Sequence, residues 1–225
     1  MRECVFYLIW HFISTITNTT LLLHTSWFPV IINTCEPFSA LCGDFRNHKM
    51  TESELLYYET TFCFWSFCVL LLLTDVRRKD FTQMVVHHVA TVALVLISLN
   101  LRLFRFGQVV LLLHDVVDVF LYSAKTAHYL GWYFQAETLF GLFALLFFAC
   151  RLVLFPVFAV LPAWRCLLAE AGSVKGAQEA VGLVMPALLS VLWTLHLFWF
   201  ALIVKMAKKI FDGKPLGGDV RSDDE

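Results

Sequence analysis

Two apolar stretches of the 225-residue chain carry side chains able to move protons or attack a carbonyl carbon. The first reads Gln83-Met84-Val85-Val86-His87-His88-Val89-Ala90-Thr91. The second reads Leu113-His114-Asp115-Val116-Val117-Asp118-Val119-Phe120-Leu121-Tyr122. An imidazole accepts and returns protons near neutral pH, or attacks a carbonyl and carries the acyl group itself. A carboxylate bonded to its other nitrogen fixes the tautomer and stabilises the imidazolium. The set suits acyl transfer. At about 100° per helical residue, His114 and Asp118 lie about 40° apart and Asp115 and Asp118 about 60° apart. His87 and Thr91 share a face, with His88 about 100° away. A short connection predicts antiparallel neighbours, so the His pair and the Asp pair could meet across one interior cavity. Structural hydrogen bonding and a proton relay stay open beside acyl transfer. Zinc fits the ligand types, but nothing else in the sequence supports a metal, and none is assigned. His11 and His196 stand alone on other stretches and read as structural. Glu59 and Arg151 read as partners of polar neighbours.

These residues need a scaffold that keeps them out of lipid. The chain is 59% hydrophobic and 16% charged, against about 25% charged in an ordinary soluble domain. That is too little polar surface to coat a water-soluble body, so the fold class is an all-α polytopic membrane protein. Six stretches are apolar enough to span: Val5–Leu23, Leu55–Leu73, Met84–Leu99, Phe106–Ala124, Ala136–Val160 and Val181–Val204. No recurring strand alternation supports a β-barrel. An Asp at mid-bilayer costs about 2.5–3.5 kcal/mol on insertion scales, so Asp115 and Asp118 require a polar cavity and partners. The first stretch lacks a signal-peptide cleavage site and is interrupted by Trp10 and His11, so it reads as a membrane helix. With the Arg77-Arg78-Lys79 loop in the cytosol, the basic residues favour both chain ends on that side. A net charge of −1 gives no support for nucleic-acid binding. The seven cysteines form no CxxC pair; Cys63, Cys68 and Cys150 read as core, whereas Cys35 and Cys42 share a loop and could bridge on an oxidising side. Asn18-Thr19-Thr20 is a sequon inside a span and is not expected to be used. Residues 211–225 read as a flexible acidic cytosolic tail, in which Ser222 precedes Asp223-Asp224-Glu225, a context for acidophilic kinases.

Taken together, these residues resemble the TLC-domain family, in its ceramide synthase branch. The resemblance covers nearly the whole chain, with residues 1–210 as the TLC transmembrane domain. It rests on Thr74-Asp75-Val76-Arg77-Arg78-Lys79-Asp80-Phe81, His87-His88-Val89-Ala90-Thr91, Arg105-Phe106-Gly107, Leu113-His114-Asp115-Val116-Val117-Asp118 and Lys125, in the order and spacing of the longevity-assurance motif. Arg151-Leu152-Val153-Leu154-Phe155-Pro156 and the acidic tail also match. The family implies a ring of six membrane helices around a hydrophobic tunnel. It implies an endoplasmic reticulum enzyme, carboxy terminus cytosolic, that moves a fatty acyl group from acyl-CoA to sphinganine or another sphingoid base. No cofactor is implied beyond acyl-CoA as co-substrate. Carried over by position, His87, His88, Asp115 and Asp118 are the catalytic set. Thr91, Arg105, His114 and Lys125 support it, and the segment Phe158 to Glu179 influences acyl-chain choice. Family members associate as homodimers or heterodimers. A non-enzymatic lipid-binding TLC protein and a proton-coupled transporter are the alternatives. Two features depart from the family. Tyr122 stands where an acidic residue is usual. The additional amino-terminal membrane helix of many members, and the homeobox-like domain of some, do not precede this sequence, as in a short natural form or a chain lacking an amino-terminal span.

Overall fold

The computed structural model describes residues 1–34, 41, 50–74, 79–170 and 177–212. Cys35, Cys42, Arg77, Arg78 and Ser222 lie outside them. The described residues form helices and no strand: α1 (Arg2–Leu23), α2 (Phe28–Thr34), α3 (Glu52–Thr74), α4 (Phe81–Asn100), α5 (Phe104–Tyr129), α6 (Tyr133–Leu146), α7 (Leu161–Glu170) and α8 (Ala177–Phe211). Between α6 and α7 the rod continues through two π-helical stretches, Phe147–Leu154 and Pro156–Val160. Each expected span falls inside one of these rods.

Among the described residues, five helical segments are long and apolar enough to cross a membrane: Arg2–Leu23, Glu52–Thr74, Phe81–Asn100, Tyr133–Cys166 and Leu183–Phe211. The sixth, α5, has 26 residues, or about 39 Å at 1.5 Å per residue. It is the least apolar because it carries Arg105, His114, Asp115, Asp118 and Lys125, and it buries the first four of these almost completely or in large part.

The six long rods close a ring. Helix α1 packs on α3, α3 on α4, α4 on α8, α8 on the π-helical rod, that rod on α5, and α5 back on α1. Helices α4 and α5 also touch across the ring. Their tight connection explains why. Arg102 adopts a left-handed backbone (φ 58°), and the Leu103 N–H reaches back to the Ser98 carbonyl at 2.8 Å. This six-to-one bond closes a Schellman-type helix end and reverses the chain in about three residues.

Local rules account for other joints. Thr51 and Glu54 form a capping box at the start of α3: the Glu54 carboxylate accepts from the Thr51 N–H at 2.8 Å, and the Glu54 N–H reaches the Thr51 hydroxyl at 3.3 Å. Gly107 lets α5 lie against Tyr58 of α3, since an added Cβ would overlap the phenol oxygen. That phenol donates to the Phe104 carbonyl at 2.6 Å. The main apolar cluster includes Ala90, Leu94, Phe106, Val109, Phe155, Ala159, Met185, Leu189 and Leu192, and joins α4, α5, the π-helical rod and α8. Cys166, midway along α7, is disulfide-bonded, while Cys4, Cys63, Cys68 and Cys150 are free thiols.

Candidate active site

The ring encloses a narrow cavity between α3, α4, α5 and α8. Its wall is apolar for most of its length: Leu94, Val95, Phe106, Val110, Leu111, Met185, Leu189 and Leu192 line it. Polar groups concentrate where His87, Thr91, His114 and Asp118 face the same space. Along α4 the lining runs from His87 to Ser98, about 16 Å at the helical rise. The site is thus a greasy passage with imidazoles and a carboxylate toward one end.

His87 sits at that end with four rings around it. Trp199 meets it edge-on at 5.3 Å between centroids, His88 at 5.5 Å, Trp65 at 5.9 Å, and His114 lies nearly parallel at 6.5 Å. Its Nδ1 is buried and has no hydrogen-bond partner. Thr91 bonds the His87 carbonyl at 2.8 Å, so its hydroxyl is committed to its own helix.

His88 points to the side, against Trp65 at 5.5 Å, and does not line the cavity. Its Nδ1 lies 2.8 Å from the Met84 carbonyl. A carbonyl only accepts, so Nδ1 carries the proton and Nε2 of a neutral His88 is the basic nitrogen. The same reasoning applies to His114, whose Nδ1 lies 2.7 Å from the Val110 carbonyl.

The two carboxylates part company. Asp118 lines the cavity and is paired with Arg151 at 2.7 Å. Arg151 comes from the π-helical stretch, also bonds the His114 carbonyl at 3.1 Å, and lies over the Phe147 ring at 5.0 Å. Asp115 faces α1 instead. His11 Nδ1 is 2.7 Å from one carboxylate oxygen, and the Ser14 hydroxyl donates to the other at 2.6 Å. The single Ser14 proton is spent there, so Tyr57 donates to Ser14 across 3.1 Å. The imidazole that Asp115 orients is therefore His11, not His87 or His88.

His11 is buried and bonded, and it is stacked on Tyr122 at 5.5 Å. His196 is not alone either: its Nε2 lies 3.0 Å from Nε2 of His114. Sequence reasoning missed both partnerships. One signal was available for α1, since His11, Ser14 and Asn18 recur at helical spacing and form a buried polar face.

The remaining expected residues lie at the periphery. Arg105 is buried over the Trp27 ring at 5.7 Å, and Lys125 lies over Tyr122 at 5.6 Å. Of the segment from Phe158 to Glu179, Ala159, Val160 and Ala163 pack in the same cluster as Met185, Leu189 and Leu192 of the cavity wall. Asp80, in the basic motif, accepts from the Trp199 indole at 3.2 Å, which ties the start of α4 to α8 beside His87. Among the described residues, no three His, Cys, Asp or Glu side chains converge as a metal site would require.

Comparison with known proteins matches this arrangement. The TLC domain matches residues 1–205. Ceramide synthase 4 of Mus musculus is 31% identical over 224 residues, covering 99% of this chain and 54% of the mouse protein. Ceramide synthase LOH2 of Arabidopsis thaliana is 34% identical over 185 residues, covering 80% of this chain and 61% of the plant protein. Alternaria stem canker resistance protein 1 of Solanum lycopersicum is 38% identical over 154 residues, covering 67% of this chain and 50% of the tomato protein. The chain spans about half the length of the mammalian relatives it matches. A ring of long helices, the tandem histidines beside an apolar cavity, and a match over residues 1–205 together place the chain in the TLC-domain family.

Proposed function

We propose that the chain is a ceramide synthase, an N-acyltransferase that moves a fatty acyl group from acyl-CoA to the amine of sphinganine or another sphingoid base. The observation that carries this reading is His87 at the polar end of an otherwise apolar cavity, with Asp118 and His114 facing the same space. The names of the mouse and Arabidopsis relatives support it.

His87 takes the acyl group. Its Nε2 attacks the thioester carbonyl, the C–S bond breaks, and the ring's Nδ1 proton leaves with CoA as the thiol. A neutral acyl-imidazole results. The sphingoid amine then attacks the same carbonyl, the carbon–imidazole bond breaks, and the amine's proton returns to the ring. His88 lies outside the cavity and acts on His87 from beside it, with ring centroids 5.5 Å apart. Asp118 offsets positive charge on the imidazoles, while Arg151 holds Asp118 in place. Asp115 acts through α1 by holding it to α5. No resident cofactor enters the scheme.

The passage favours a long alkyl chain. A zigzag chain with bonds of about 1.5 Å advances about 1.25 Å per carbon, so about 13 carbons reach from the level of His87 to that of Ser98. Each buried methylene contributes about 0.8 kcal/mol. We place the protein in the endoplasmic reticulum membrane with its carboxy terminus cytosolic, where dimerisation with itself or a relative is open to it.

The test is (dihydro)ceramide formation from long-chain acyl-CoA and sphinganine in membranes containing the chain. His87→Ala should lower turnover by at least about 100-fold, the low end of an acid–base contribution. Equal rates in His87→Ala and the unaltered chain would overturn the assignment. Lipid binding without turnover would favour a non-enzymatic role.

A further inference from the structure

The last helix contributes an imidazole that the proposed chemistry does not use. His196 of α8 is fully buried, with Phe155 at 5.2 Å and Phe147 at 6.0 Å between ring centroids, and its Nε2 lies 3.0 Å from Nε2 of His114. The direction of that bond follows from its neighbours. His114 already donates from Nδ1 to the Val110 carbonyl at 2.7 Å. A neutral imidazole has one N–H, so Nε2 of His114 is a lone pair. The proton between the two rings therefore belongs to His196. Nδ1 of His196 is then the unprotonated nitrogen: the Arg151 backbone approaches the His196 ring, but Nδ1 makes no hydrogen bond of good geometry.

The consequence falls on the cavity. His114 lines it beside His87, with the two rings nearly parallel and 6.5 Å apart. Left uncapped, His114 would present a second basic nitrogen to any carbonyl that reaches His87. Capped by His196, it has no lone pair to offer. The other charged or titratable groups facing the pair are His87 from α4, Arg151 from the π-helical stretch, Asp118 from α5 and His11 from α1. None of them hydrogen-bonds a ring nitrogen of His114; Arg151 bonds its backbone carbonyl at 3.1 Å.

We propose that His196 is a positioning residue that caps the base site of His114, leaving His87 as the imidazole in the cavity wall that reacts with electrophiles. The proposal rests on the acyltransferase reading for its purpose, but not for its test.

The test is site-resolved labelling of the full chain in membranes with diethyl pyrocarbonate, read by peptide mass spectrometry. An unprotonated ring nitrogen attacks one carbonyl of the reagent. The new N–C bond displaces ethyl carbonate, which takes up a proton and breaks down to ethanol and carbon dioxide. In the unaltered chain, His114 should label about tenfold more slowly than His87, the effect of one neutral hydrogen bond. His196→Phe keeps the ring volume, removes the donor, and should raise His114 labelling toward that of His87. His196→Gln supplies an amide N–H and should restore protection. Equal labelling of His87 and His114 in the unaltered chain would overturn the proposal, whether or not either variant folds. So would a His196→Phe protein that elutes as the unaltered chain does and still protects His114. Because the reagent needs no acyl-CoA, loss of ceramide formation and loss of His114 protection are separate outcomes.

Discussion

Asp115 and Asp118 stand three residues apart on one helix, yet they serve different partners. Asp118 is a buried ion pair with Arg151 at the cavity wall. Removing one member of such a pair strands the other charge, typically at 3–5 kcal/mol. Arg151→Met should therefore lower thermal stability in detergent strongly, while Arg151→Met combined with Asp118→Leu should recover part of the loss. A double variant no more stable than Arg151→Met alone would show that the pair is not the reason. Asp115→Asn should cost less, about 1–3 kcal/mol, because His11 and Ser14 lose a charged acceptor but keep a polar one. The convergence of His87, His114 and Asp118 was legible from helical spacing together with the short connection that makes the two helices neighbours. The different allegiance of Asp115 was not, because the residues that claim it lie 101 and 104 positions away. His196 was unreadable for the same reason, its partner being 82 positions distant. Intrahelical spacing says which residues share a face, but not which helix that face meets.

At the scale of the helices, each expected apolar run lies in a long rod, because spanning lipid requires uninterrupted backbone hydrogen bonding over a fixed thickness; among the described residues five of these are apolar enough to cross a membrane, and α5 is not among the five. Their ends extend beyond the apolar cores by a few residues where polar caps complete them, as Thr51 and Glu54 do for α3. The π-helical stretches were not legible: Arg151 interrupts the apolar run Phe147–Leu154, but one buried charge does not specify a wide turn. Such wide turns gather at functional sites, and this one brings Arg151 to Asp118 and to the His114 carbonyl. The contact of α3 with α5 offers a sharper test. Gly107→Ala would drive a methyl group into the Tyr58 phenol. Tyr58 is fully buried and holds the Phe104 carbonyl, so it has little room to yield. A loss of about 1–3 kcal/mol is expected, with Gly107→Ala/Tyr58→Phe recovering part of it. Thermal unfolding in detergent compares the three.

For the molecule as a whole, the basic residues and the disulfide make one prediction from different physics. Lys and Arg favour the cytosolic side, and disulfides persist on the oxidising side. Disulfide-bonded Cys166 follows Arg165 at the end of the apolar segment Tyr133–Cys166, opposite the side assigned to Lys125 and Lys205. If α5 crosses together with the five apolar segments, both ends of the chain should be protected from a lumenal glycosylation reporter, whereas a sequon grafted between α7 and α8 should be modified. The reverse pattern would invert the topology. The closure of the ring was implied by the family resemblance and not by apolar run length, which shows how many rods there are but not their order around the cavity.

The seam between α1 and α5 also bears on how the protein is made. His11, Ser14 and Asn18 emerge early, but the Asp115 and Gln108 groups they bond are translated 90 to 104 residues later. At about 5–20 residues per second, the nascent first segment waits about 5–20 s with its hydrogen-bonding edge unmatched. During that interval it needs a chaperone in the translocation machinery, or a shallow berth among the headgroups, before the bilayer can accept it.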